Sequence, residues 1–455
     1  MRGIDIFEPE FGEDLVAGMK TCDVLVIGGG PAGSTVAPLL ARKGYKVVLL
    51  EKARHPRFHI GESLLPANLP LLDALGVADE VRAIGMEKWG AEFVSPWHEH
   101  GQEFRFADAF DKSLPMAYQV KRADFDHILI RNAAREGVEV IEGCKVGAVD
   151  FQSGDSGAVV RATHDDGREL HWRARFVVDA SGRDTFLANR FQIKHRNPRH
   201  NSSAMYAHFA GARRHEGQAE GNITIFWFDH GWFWFIPLSD GLTSIGATVW
   251  PYYMKTRAGR SMSTFLLDTI ASCPPLAERL KDAEMVTEAE ATGNFSYVSE
   301  RNHGPNYLML GDAFAFIDPV FSSGVMLAMN SGFAGAKAID TCLSRPAEAA
   351  TALAEFDRVV RHGPEVFSWF IYRITNPTMR NIFMAPRNVF RVKEALLSVL
   401  AGDIYGSTPI WRPLRIFKII YYLSFLGNLR QSLKGWRKRR INIRPVDDAG
   451  LGIGQ

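Results

Sequence analysis

Four cysteines in 455 residues, Cys22, Cys144, Cys273 and Cys342, are too few and too scattered for a disulfide framework, and no CxxC pair suggests a metal site. Thiols this sparse fit a reducing compartment, where a buried cysteine serves as a small apolar residue. No run of roughly 20 uninterrupted apolar residues is present, so no membrane-spanning helix is expected. The opening MRGIDIFEPEFGEDLVAGMK is acid-rich and lacks the basic-then-apolar order of a secretory signal. These absences predict a cytoplasmic chain. Internal repeats and low-complexity tracts are also missing. One local absence is sharper: between Ile404 and Val446 there is no acidic residue. Arg412, Arg415, Lys418, Arg430, Lys434, Arg437, Lys438, Arg439, Arg440 and Arg444 lie there among Trp411, Phe417, Tyr421, Tyr422, Phe425 and Trp436. Such a segment suits anionic lipid at the inner membrane surface, an acidic protein partner, or a helical cap with a solvated basic face. No nucleic-acid reader module accompanies it, so nucleic acid is not expected.

What is present is the balance of a soluble globular protein, 46% hydrophobic and 23% charged, on a chain long enough for two intertwined domains. The first motif lies in DVLVIGGGPAGSTVAPLLARKGYKVVLLEK. Val24 to Ile27 is an unbroken apolar run of the buried parallel-strand type. Gly28-Gly29-Gly30-Pro31-Ala32-Gly33 matches GxGxxG, a helix follows to Lys43, and a second strand closes on Glu51, followed by Lys52. Gly28 permits the tight turn, Gly30 lets the backbone approach a pyrophosphate, Gly33 packs helix on sheet, and Glu51 can accept from a ribose diol. The whole unit predicts dinucleotide binding.

Further along, Phe176-Val177-Val178 returns to the buried parallel type and ends at Asp179-Ala180-Ser181-Gly182. Asp165-Asp166-Gly167 reads as a hairpin turn. From about 190 to 290 the pattern is mostly β, and alternation in Trp232-Phe233-Trp234-Phe235-Ile236 puts both tryptophans on one strand face. Gly311 to Gly324, GDAFAFIDPVFSSG, ends in small residues before a helix-forming run. Its Ser323 and Gly324 can present backbone N–H groups to an anion. After about 335 the chain reads as helical, with an amphipathic helix around Phe390 to Leu400 whose one face includes Val389, Val392, Leu396 and Val399.

With GxGxxG, DASG and the GD…P segment in that order, the chain resembles FAD-dependent oxidoreductases of the glutathione-reductase-like, aromatic-hydroxylase type. The resemblance implies an α/β architecture. A Rossmann-type FAD domain over 21–190 and 285–355 would be interleaved with a mixed β-sheet substrate domain over 191–284. The sequence pattern itself, with no fixed counterpart in the family, adds a helical basic region over 356–446, a loose lead-in over 1–20 and a tail over 447–455. The resemblance also implies that Gly28, Gly30, Pro31, Ala32, Gly33, Glu51, Lys52, Arg122, Asp312, Pro319 and Gly324 hold FAD. Trp232 to Pro237 reproduces the WxWxIP signature of flavin-dependent halogenases, and Phe316, Pro319, Ser322 and Gly324 fit their FxxPxxSxG. Gly61-Glu62-Ser63-Leu64-Leu65-Pro66 looks like the branch acting on phenols, pyrroles or carrier-bound aromatics.

That branch implies FADH2, O2 and chloride or bromide as co-reactants. The halide would sit at Ser323 and Gly324, Lys88 would be the catalytic amine, and Trp232, Trp234, Ile236 and Pro237 would form the barrier between flavin and substrate. Met326 stands where phenol-type members often carry His. No second GxGxxG is evident, which implies a separate NAD(P)H-dependent flavin reductase. An acyl carrier protein bearing the aromatic substrate is an expected partner for 404–446. The competing readings are an FAD monooxygenase or alkene reductase on a hydrophobic substrate, and a non-enzymatic flavoprotein.

Overall fold

The computed structural model describes residues 19–152, 157–293 and 296–444. The expected tail, and all but the last two residues of the expected lead-in, lie outside them. Two eight-stranded sheets organise the chain. In the first, His303–Gly304, Tyr307–Met309, Glu169–Asp179, Lys20–Ile27, Val47–Glu51 and Glu139–Glu142 follow one another in space. Lys20–Ile27 pairs in parallel with both Glu169–Asp179 and Val47–Glu51. Helices cover this part of the sheet, so its strands are apolar on both faces: Val24, Leu25, Val26, Val47, Val48 and Leu49 are buried. The Gly33–Ala41 and Gly324–Ser344 helices share that core through Val36, Leu40 and Ile339. The predicted turn joins Ala158–His164 to Glu169–Asp179, with Gly167 at φ +87° donating to the His164 carbonyl.

The second sheet runs Glu284–Met285, Ser203–Ala210, Thr243–Val249, Gly231–Pro237, Ile223–Phe228, Gly90–Val94 and Gln102–Arg105. Gly90–Val94 lies parallel to Ile223–Phe228. Strands from 90–105, inside the stretch expected to belong to the flavin domain, therefore complete the sheet expected over 191–284. Short strands flanked by turns do not reveal which sheet they will join; the long-range pairing Ile225↔Phe93 decides it. Alternation works as predicted along Gly231–Pro237. Trp232, Trp234 and Ile236 enter one core with the C-terminal helices, while Phe233 and Phe235 enter another beneath the Met262–Ala271 helix. Gly246, opposite Trp234, is needed for close approach: a Cβ there would come within 2.1 Å of the Trp234 ring.

The C-terminal part is helical: Ala349–Ile371, Pro377–Met384, Val392–Ala401, Trp411–Gly427 and Leu429–Asn442. Phe367, Phe370, Phe383, Leu396 and Phe417 pack against the tryptophan face of the second sheet. The helix expected from Phe390 begins later. Phe390 and Arg391 adopt φ +52° and +60°, and Val389 is exposed rather than part of the apolar face. Among the described residues, no helix is long and apolar enough to cross a membrane.

Candidate active site

A cleft of about 1140 Å³ lies between the two sheets. Its floor is the glycine turn: Gly28, Gly30, Pro31 and Ala32 line it. Gly28 sits at φ +104°, and a Cβ on Gly33 would lie 1.9 Å from the Gly28 carbonyl oxygen, so turn and helix fit only as glycines. Gly33 therefore shapes the turn from behind. Glu51 is buried and accepts from the N–H of Gly29 at 2.6 Å and of Ala53 at 2.9 Å. Lys52 borders the same cleft but pairs with Asp184. Arg122 is fixed by two bonds to Asp126, at 2.8 and 3.0 Å, and by one to the Ile60 carbonyl at 3.1 Å. Asp312 also lines the cleft; desolvation pushes its carboxyl up to about 6, against the pull of Arg183 and Arg122.

The GDAFAFIDPVFSSG segment delivers Asp312, Phe316, Pro319, Ser322 and Gly324 to this cleft. Asp318 caps the Pro319–Phe321 turn by accepting from the Val320 N–H, and Ser322 bends the chain at φ +56°. Ser323 and Gly324 then open a 21-residue helix, so their N–H groups have no preceding helical carbonyl to satisfy them. Such a terminus favours an anion. Ser323 itself is buried and does not line the cleft.

The opposite wall consists of Trp232, Trp234 and Ile236, with the two indole rings 5.9 Å apart. The Trp234 Nε1–H donates to Ser244 Oγ at 3.2 Å, which fixes that ring. Pro237 closes the strand opposite Thr243 and does not line the cleft. Lys88 is not among the lining residues either. It ends the short strand Met86–Lys88 and is 1% exposed. Its Nζ donates to Ser63 Oγ and to the Leu64 carbonyl, both at 2.9 Å, and lies 5.3 Å from the Phe106 ring centre. No carboxylate among the described residues pairs with it, and burial pulls its pKa down to about 7. Ser63 does line the cleft, so one hydroxyl connects the dry amine to that space.

Known proteins resemble the chain in sequence and in fold. A family model described as tryptophan halogenase matches residues 23–113 and 105–381. The chain belongs to the tryptophan halogenase family. A tryptophan 2-halogenase from Chondromyces crocatus is 34% identical over 346 residues, 74% of this chain but only 64% of that relative. From Pseudomonas fluorescens, a chlorinase of 1H-pyrrole-2-carbonyl groups on a peptidyl-carrier protein is 29% identical over 84% of this chain and 90% of its own. Among solved structures, the myxobacterial chondrochloren halogenase CndH is 34% identical with a TM-score of 0.74, covering 90% of this chain and 97% of that one. A flavoprotein/dehydrogenase from Cytophaga hutchinsonii is 30% identical with a TM-score of 0.81, covering 90% and 100%.

The chain is therefore a flavin-dependent halogenase by family, an enzyme class that works with FAD, halide and O2. The residues fit the cofactor. Gly30 leaves the floor open, since a Cβ built there would have only an arginine tip at 3.8 Å as neighbour. Asp312 faces the cleft with no hydrogen-bond partner for its carboxylate among the described residues.

Sequence reasoning missed two buried pairs in this halogenase. His208 Nε2 meets Glu62 at 3.0 Å, fixing the Gly61–Pro66 run against the second sheet. His200 Nε2 meets Asp318 Oδ2 at 2.9 Å, and Ser202 donates to the same oxygen. Both join residues more than a hundred positions apart, so no local pattern announces them. Met326 is fully buried, and its sulfur accepts from Asn330 at 3.1 Å.

Proposed function

We propose that this flavin-dependent halogenase installs chlorine or bromine on an electron-rich ring, phenolic or pyrrole-type, carried by an acyl or peptidyl carrier protein. The observation that carries the reading is Lys88: a fully buried amine with no carboxylate partner among the described residues, joined through Ser63 to the cleft but set apart from it. When bound as FADH2, the flavin supplies with O2 the oxidising power that turns halide into hypohalous acid.

The chain's own residues do the rest. Gly28, Gly30 and the start of the Gly33–Ala41 helix receive the pyrophosphate, Glu51 the ribose, and Asp312 the ribityl hydroxyls. Pro31, Ala32, Arg122 and Pro319 shape the flavin's bed. The N–H groups of Ser323 and Gly324 hold the halide. Trp232, Trp234 and Ile236 keep an aromatic ring off the flavin, with Pro237 ending that wall, so the ring is not hydroxylated there. Lys88 receives the oxidant beyond the wall. A neutral amine either takes the electrophilic halogen, releasing water, or donates a hydrogen bond that orients hypohalous acid toward the ring. Either role is supported by an amine pKa brought near 7.

Carrier delivery is supported by the names of two relatives that act on pyrrole groups held by peptidyl-carrier proteins. The last two helices supply a surface for it: Ile419, Leu423, Leu426 and Leu429 are exposed beside Arg415, Arg430 and Lys434. An acidic carrier helix complements that face in charge and in apolar area. Reduced flavin would come from a separate NAD(P)H-dependent reductase.

The test is product mass after incubation with FAD, a flavin reductase, NADH, O2 and bromide or chloride, using free and carrier-bound phenolic and pyrrole acids. A gain of halogen on the carrier-bound ring is the expected result. A gain of oxygen would indicate a monooxygenase, a gain of two hydrogens an alkene reductase, and either would overturn the reading. Arg437→Glu/Lys438→Glu is the docking test. It should raise KM for the tethered substrate about tenfold or more and leave kcat unchanged; an unchanged KM rejects the docking face.

A further inference from the structure

A second cavity among the described residues, of about 880 Å³, has nothing to do with the flavin cleft's lining. It opens where residues 196–201, the end of the Ala349–Ile371 helix and the last two helices converge. Arg196 and Arg199 line it from one side, Arg373 from the second, and Arg439, Arg440 and Arg444 from the third. No aspartate or glutamate lines it, and none of these six guanidinium groups pairs with a carboxylate among the described residues. Like charges gathered in one concavity raise each other's energy and focus a positive potential that a ligand of opposite sign relieves.

The arginine heads are also held in place. Arg373 lies 4.5 Å from the Trp369 ring centre and donates to the Tyr422 hydroxyl at 3.0 Å. Arg440 lies 4.8 Å from the Trp436 ring centre. Arg439 donates to the Arg199 carbonyl at 2.9 Å and to His200 Nδ1 at 3.0 Å, while its Nε is buried with no hydrogen-bond partner among the described residues. Tyr372, Tyr421 and Trp436 give the cavity aromatic walls.

We propose that this cavity binds a phosphate ester, with the phosphate among the arginines and its organic substituent on the aromatic walls. Guanidinium forks lining one cavity suit the tetrahedral oxygens of a phosphate, whose spread a planar carboxylate does not reproduce. Two sources share that chemistry: a free nucleotide, and the phosphodiester that roots the arm of a carrier protein. The site stands on its own geometry and not on the carrier reading. Occupancy also reaches the halide loop. Because a guanidinium can only donate, Arg439 makes His200 Nδ1 the acceptor and leaves Nε2–H to donate to Asp318, which caps the Pro319–Phe321 turn.

The experiment is calorimetric titration of the full-length, FAD-loaded protein with phenyl phosphate, adenosine monophosphate and phosphopantetheine, and with benzoate as the carboxylate counterpart. Saturable binding of at least one ester is expected, with benzoate at least about tenfold weaker. Arg440→Gln/Arg444→Gln should weaken the ester about tenfold or more, and so should Arg196→Gln, placed outside the helix in case the double variant misfolds. Tighter phosphopantetheine assigns the site to a carrier arm, and tighter adenosine monophosphate to a nucleotide. No saturable heat with any ester, equal binding by both variants, or benzoate as tight as the esters would overturn the proposal.

Discussion

Replacing Lys88 by methionine removes the amine while keeping an unbranched side chain of similar length in a site that is 1% exposed. In the folded chain burial brings the amine from 10.5 to about 7. The unfolded chain therefore binds more protons than the folded chain throughout that window, and wild-type stability rises with pH across it. One whole proton of difference changes stability by about 1.4 kcal/mol for each step of one in pH, so between about pH 6.5 and 9 the wild type should gain roughly 2–3 kcal/mol that Lys88→Met does not. Methionine also strands the Leu64 carbonyl, at a cost of about 1–3 kcal/mol, but that contribution does not titrate and leaves the slope untouched. The assay is urea unfolding of both proteins at several pH values, so that other ionisations cancel in the difference. A difference that stays flat would mean that the amine is solvated or paired, and the argument for a dry pocket would fail. In turnover, Lys88→Met should lower halogenation by about 10²-fold or more while FADH2 oxidation continues; a variant that halogenates normally removes Lys88 from the mechanism.

Other consequences can be checked more briefly. Gly246→Ala should cost about 1–3 kcal/mol, because its Cβ meets the Trp234 ring at 2.1 Å; an unchanged Tm would mean that the indole is free to move. His200→Ala leaves Asp318 buried with Ser202 as its remaining side-chain donor, and should destabilise by about 3 kcal/mol while raising the bromide concentration needed for half-maximal rate. If only Tm falls and the bromide dependence is unmoved, the pair supports the fold without reaching the proposed halide site. Ser322→Gly relieves a left-handed residue at φ +56° and should stabilise by up to about 1 kcal/mol, read as a rise in Tm.

The structure sharpens how the basic C-terminal region can be tested. Arg439 lies within the run Arg437 to Arg440 but is tied to Arg199 and His200, so reversing its charge would disturb the loop that carries Pro319 as well as any docking face. Among the described residues Arg437 and Lys438 carry no such bond to the loop; Lys438 approaches Asp229 at 3.8 Å. Charge reversal confined to those two separates the proposed partner surface from the site.

Local chemistry made much of this protein legible in advance. A glycine turn between a buried strand and a helix, with Glu51 at the end of the next strand, follows from φ freedom and hydrogen-bond geometry alone. The two-residue period of Trp232 to Ile236 likewise dictates that the tryptophans share a face. Those features depend on neighbours in the chain, so the chain order contains them. Tertiary structure decided what depends on distance in space. It determined that the Gly90–Val94 strand crosses to the second sheet, and that Ser63 bridges Lys88 to the cleft. It also placed His200 against Asp318, and six arginines from three segments around one cavity. A buried charge or an unpaired donor is defined by what surrounds it, and packing brings those surroundings from positions that one-dimensional spacing does not connect.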